Sequence, residues 1–220
     1  MQAYIPIHRF EISEVISMKL YYADIRGIDE KDALYPPLSG NRGSAFGVSL
    51  LAAAYDDYAG KPLPKIIRLL SGKPFSSDDP EYHFSISHSK THVLCALSEQ
   101  PVGVDTETHR FIKQSTIEKL ATPGELAGLT FFDIWVLRES LYKLTGKGDL
   151  RTMRFYRRGG KIIPPYEGVF CRLYPDIEES STAVSSYDNC FPDKIIKIPA
   201  EKLLTKEARK RLAKAEKFKE

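Results

Sequence analysis

The chain has 220 residues, 42% hydrophobic and 28% charged, with a formal net charge of +3; that suffices for one large domain or two halves of about 100 residues that each bury a core. The longest uncharged apolar-leaning run, residues 43–55, falls short of the roughly 18 residues of a membrane span. Met1-Gln2-Ala3-Tyr4 lacks the basic start and apolar stretch of a secretory signal, and three cysteines without a CxxC spacing argue against a disulfide framework or zinc cluster. A cytoplasmic protein with no membrane partner is the expectation. The positive charge is local: residues 205–220 carry a net +4 and the rest of the chain −1. A nucleic-acid module would interleave basic and aromatic residues on its folded body, so no nucleic-acid partner is expected.

In chain order, residues 15–23 have strand composition. Residues 42–58 form a small-residue helix with Phe46, Leu50, Ala53 and Ala54 as its apolar stripe, and 66–70 read as a strand closed by Ser71-Gly72-Lys73-Pro74. Residues 83–87 alternate as a half-buried strand, 91–97 follow as a second, and the break at Glu99-Gln100-Pro101 precedes a third opening at Val102. Helices are predicted over 116–121 and 131–144, the latter with Asp133 as start cap and Gly146 as end cap. A hairpin over 151–166 turns at Gly159-Gly160, strands follow at 169–173, 181–186 and 195–198, and a charged helix spans 200–218. Strands and helices on both sides of Gln100 imply an α+β architecture in two lobes.

Three places have candidate chemistry. In Gly103-Val104-Asp105-Thr106-Glu107, strand period 2 puts Asp105 and Glu107 on one face, where a divalent cation would relieve their repulsion; a solvated strand end is the plainer alternative. On the helix over 134–144, Trp135, Arg138, Glu139, Tyr142 and Lys143 share one broad face, and Glu139–Lys143 also reads as a routine i,i+4 pair. In Phe84-Ser85-Ile86-Ser87-His88-Ser89 a strand ends in small polar groups able to hydrogen-bond phosphate. His88 and His92 would need a helix to bind zinc together, and no GxSxG elbow or GxxxxGK[ST] loop is present.

The order Gly72-Lys73-Pro74, Ser87-His88-Ser89, Gly103 to Glu107, Trp135 to Lys143, Gly146-Lys147-Gly148 resembles the two-lobed, Sfp-type 4′-phosphopantetheinyl transferases, over residues 42 to 204. The resemblance implies a pseudo-twofold pair of similar α+β lobes, residues 1–101 and 102–204, while the charge count sets 205–220 apart as a basic helical tail, read as solvated. It implies transfer of phosphopantetheine from coenzyme A to a serine of an apo acyl or peptidyl carrier protein, with release of adenosine 3′,5′-bisphosphate, by a monomer. Asp105, Glu107 and Glu139 would hold magnesium, and Lys143 would touch the pyrophosphate and support the leaving group. Glu139 would be the general base, with Glu125 its rival. Ser87 and His88 would bind coenzyme A phosphates, with magnesium, Lys143 and His88 offsetting their charge, and Lys73 and Arg42 would lie toward the nucleotide. Phe111 and Ile112 fall in the segment that faces the carrier. Arg138 replaces the usual lysine, the region before Arg42 is poor in basic residues, and the tail has no clear counterpart. A magnesium-dependent phosphodiesterase or nuclease would also use clustered carboxylates with Lys143 and is the rival reading.

Overall fold

A computed structural model describes residues 18–38, 44–68 and 72–216. Two sheets organise it. The first has β1 (Met18–Asp24), β4 (His83–His88), β5 (His92–Ser98) and β11 (Ile196–Lys197) in the order β11-β1-β5-β4. The second is antiparallel, β6 (Val102–Thr108), β10 (Ser180–Ser186) and β9 (Phe170–Tyr174), with β10 in the middle. The α+β class is as expected, while the sheets differ in size and only the first has a parallel pair, β1 with β11.

The run His92–Ser98 is buried along its whole length because it serves two cores. Side chains alternate across a strand. Val93, Cys95 and Leu97 face α1 (Ser44–Ala59) with its Phe46, Leu50 and Ala54, whereas Leu94 and Ala96 join Met18 and Leu20 against Val102, Val104 and Val184 of the second sheet. That shared apolar layer holds the sheets together. Polar bonds add to it: the Ser85 hydroxyl accepts from Val104 N–H at 3.1 Å and the Ser87 hydroxyl from Thr106 N–H at 3.3 Å, so alternate serines of β4 satisfy backbone donors of β6.

The second sheet is covered by α4 (Phe131–Thr145), whose Val136, Leu137, Leu141 and Leu144 pack with Val169 and Ala183. Gly103 explains how closely. A Cβ there would lie 2.0 Å from the Ser140 carbonyl oxygen and 2.5 Å from Leu144 N, so the helix backbone occupies the space that any side chain would need. The start of α4 differs from expectation. Thr130 is the N-cap, and Asp133 is the N3 partner of a capping box, its carboxylate accepting from Thr130 N–H at 3.0 Å. Gly146 ends the helix at φ 66° as expected. The expected hairpin is β7 (Tyr156–Arg158) and β8 (Lys161–Ile163), with Gly159 and Gly160 at φ 55° and 78°.

From Ile196 the chain returns to the first sheet. Ile196 pairs with Tyr21, and Ile198, Leu203, Leu204 and Ala208 enter the core beneath α1. The single helix expected over 200–218 is instead a 3₁₀ turn, Ala200–Leu203, then α5 (Lys206–Glu216). At the break Leu203 and Leu204 are both fully buried, and Leu204 is extended at φ −107° and ψ 153°. Thr205 then caps α5 through its hydroxyl to Ala208 N–H at 3.2 Å. The stretch read as a solvated tail is therefore docked, with Ala208 in the core and Arg211 ion-paired to Asp32; residues 217–220 lie outside the described residues.

Candidate active site

Where β4, β6 and α4 converge, a cavity of about 440 Å³ is lined by Ser87, His88, Asp105, Glu107, Trp135, Glu139 and Lys143. Each element supplies residues by its own period: Asp105 and Glu107 two apart on β6, and Trp135, Glu139 and Lys143 four apart on α4. The broad helical face read from the sequence divides here. Arg138 is fully buried on another side of α4, and Tyr142 is 43% exposed and does not line the cavity. Gly103 sits between the two carriers of the site, so its missing side chain brings α4 onto β6 and Lys143 onto Asp105.

Asp105 is buried and held from two sides, accepting from Ser87 Oγ at 2.6 Å and Lys143 Nζ at 2.7 Å. The Ser87 hydroxyl proton is thus committed to Asp105 rather than aimed into the cavity, which gives Ser87 a positioning employment that the sequence did not reveal. Glu107 pairs with Arg110 at 2.7 Å. Glu139 is half-buried, and burial, then the Asp105 and Glu107 carboxylates, push its carboxyl above the usual range against the opposing pull of Lys143. His88 stands at the open end of β4. Desolvation of its ring and then the Lys143 ammonium depress its pKa.

The remaining expectations fare differently. Arg42 lies outside the described residues. Lys73 is half-buried and approaches the Leu144 carbonyl at the end of α4 at 3.5 Å, while Pro74 of the same turn and Arg68 of β2 (Ile66–Arg68) line the cavity. Arg68 was missed because a lone arginine in a short strand has no pattern. Glu125, the rival base, is fully buried in the second core: it accepts from Arg138 at 2.8 Å, Phe155 N–H at 3.2 Å and Thr122 N–H at 3.0 Å, and is not a cavity residue. Against the expectation of a three-carboxylate magnesium site, among the described residues no three His, Cys, Asp or Glu side chains stand close enough to hold a metal as they are. The reason is local, since Lys143 occupies Asp105 and Arg110 occupies Glu107. The donors do fit a hard divalent cation in kind, being carboxylates whose mutual repulsion already raises Glu139.

No protein-family model matches the chain. It is 31% identical over 154 residues to a 4′-phosphopantetheinyl transferase of Bacillus subtilis, a match covering 60% of this chain and 67% of that one. The chain belongs to the Sfp-type 4′-phosphopantetheinyl transferase family. Against 4′-phosphopantetheinyl transferase Sfp of Bacillus subtilis strain 168 it is 29% identical over 146 residues, 52% of this chain and 65% of that relative. The 4′-phosphopantetheinyl transferase gsp of Aneurinibacillus migulanus is 38% identical over 87 residues, 35% of this chain and 36% of its own length. The matched stretches thus span about two thirds or less of these transferases.

Proposed function

We propose that this protein transfers the 4′-phosphopantetheine arm of coenzyme A to a serine of an apo acyl or peptidyl carrier protein and releases adenosine 3′,5′-bisphosphate. The observation that most supports this reading is the convergence of Asp105, Glu107, His88, Glu139 and Lys143, from three elements, on one cavity. A second cavity of about 760 Å³, sharing His88 and Glu107 with the first and lined by Ser89, Lys90, Thr108 and Arg110, provides room for a substrate with two distinct ends.

In this reading the carrier serine oxygen bonds to the β-phosphorus of coenzyme A as the pyrophosphate P–O bond breaks. Glu139 takes the serine proton as general base. Lys143 stands against the negative charge that passes to the leaving bisphosphate, and His88 and Arg68 donate hydrogen bonds to phosphate oxygens. Ser87 keeps Asp105 in place throughout. Asp105, Glu107 and Glu139 would hold magnesium, which when bound supplies positive charge to the pyrophosphate. Phe111, 89% exposed, and Ile112 beside it offer an apolar contact for the carrier.

The test is to incubate the chain with coenzyme A, magnesium and several apo carrier proteins and to weigh the carriers. A phosphopantetheine mass gain on a carrier that is absent from its serine-to-alanine variant is the expected outcome. Hydrolysis of coenzyme A with no carrier gaining mass would instead favour the phosphodiesterase reading.

A further inference from the structure

The residue beside Glu139 carries an inference that the cavity does not. Arg138 is the largest fully buried side chain among the described residues, and its guanidinium joins three pieces of chain. One terminal nitrogen donates to the Leu120 carbonyl at 2.6 Å and the other to Glu125 at 2.8 Å; Glu125 in turn accepts from Thr122 and from Phe155 N–H. Leu120 ends α2 (Gln114–Leu120), a seven-residue helix with no fully buried residue and no side-chain cap at Lys113. Helices this short do not hold themselves in water, and the carbonyls of a last turn lack partners within the helix. What fixes α2 is Ile117, half-packed on the second core, the buried Ala121 that follows it, and the bond from Arg138.

We propose that Arg138 is a positioning residue that fastens the exposed segment 111–121 to the helix bearing Glu139 and Lys143. One residue of α4 faces the carrier-side segment and the next faces the chemistry, so the register between acceptor and base is set within a single turn. The planar fork is what permits this: two nitrogens reach an orphan carbonyl and a carboxylate together, whereas the lysine that the family resemblance leads one to expect has one ammonium for both. The anchoring stands on geometry alone; its consequence for the carrier rests on the proposed transfer.

The experiment compares the full chain with Arg138→Lys and Arg138→Met by hydrogen exchange and by steady-state kinetics. We expect amides 114–121 to exchange about tenfold faster in both variants while the amides of α4 keep their protection. We expect the apo-carrier KM to rise about tenfold, with kcat and the coenzyme A KM within about twofold of the parent. Unchanged exchange over 114–121 overturns the anchoring, and a lost kcat or raised coenzyme A KM at constant carrier KM overturns the positioning. If Arg138→Met does not fold because Glu125 is left buried without its partner, Arg138→Lys decides. If the parent chain modifies no carrier, the transfer reading fails while the exchange data still decide the anchoring.

Discussion

Glu139 concentrates the competing demands of the site in one side chain. Burial and the neighbouring Asp105 raise its carboxyl pKa, which favours a general base and disfavours folding with the group charged. The sign follows directly. A carboxyl whose folded pKa exceeds its unfolded value contributes stability that is fully present below the unfolded pKa and lost as pH rises through the folded one. Glu139→Gln is therefore expected to raise Tm at pH 7, with the gain vanishing below pH about 4 where the parent carboxyl is protonated. The same change is expected to cut carrier modification by about 10²–10⁴-fold. In the parent, kcat/KM falls as pH drops and the Glu139 carboxyl is protonated. Thermal scans at several pH values and a pH–rate profile check both halves, and a Tm that falls at pH 7 would sink the argument. The raised pKa was not legible beforehand, because the sequence shows which groups are acidic but not how much water each keeps.

At the scale of elements, the close approach of α4 to β6 depends on one small residue, and the docking of α5 on a buried alanine together with the Arg211–Asp32 ion pair. Gly103 has no room for a methyl group between Ser140 and Leu144. Gly103→Ala must move helix or strand, and we expect a loss of about 3 kcal/mol in urea unfolding together with loss of carrier modification, since Lys143 leaves Asp105. Retention of both stability and activity would mean that the approach is not what builds the site. Ala208 plays the corresponding part for α5, which the net charge of +4 suggested to be a solvated tail. Deleting residues 205–220 removes a fully buried alanine and exposes the leucines before it. A fall in Tm of about 5 °C is expected, with carrier KM and its salt dependence unchanged at temperatures where the protein stays folded. An unaltered Tm would return the segment to a solvated tail. The amphipathic spacing of Leu203, Leu204, Ala208 and Leu212 was visible in the sequence. That the helix is interrupted at a buried, extended Leu204 was not, because the pattern reports which residues are apolar and not which surface receives them.

For the whole molecule, two sheets share an apolar layer and meet along β4 and β6, where serine hydroxyls do the work of a strand pairing. Residues 196–208 pack with the first sheet and its core. By itself the sequence determined the elements with strong local signatures: the alternation of β4, the glycine turn of the β7–β8 hairpin, the αL stop of α4 at Gly146. It also determined which motifs stand in which order, and with them the family. Short-range periodicity and backbone sterics suffice for these. Only the tertiary structure decided that Arg138 is buried while Glu139 lines the cavity, that Ser87 bonds Asp105 and that Glu125 is a core residue away from the cavity. Those outcomes depend on which groups lose their water and which partners distant in sequence, such as Lys143 and Ile86 at a separation of 57 residues, come within hydrogen-bond reach.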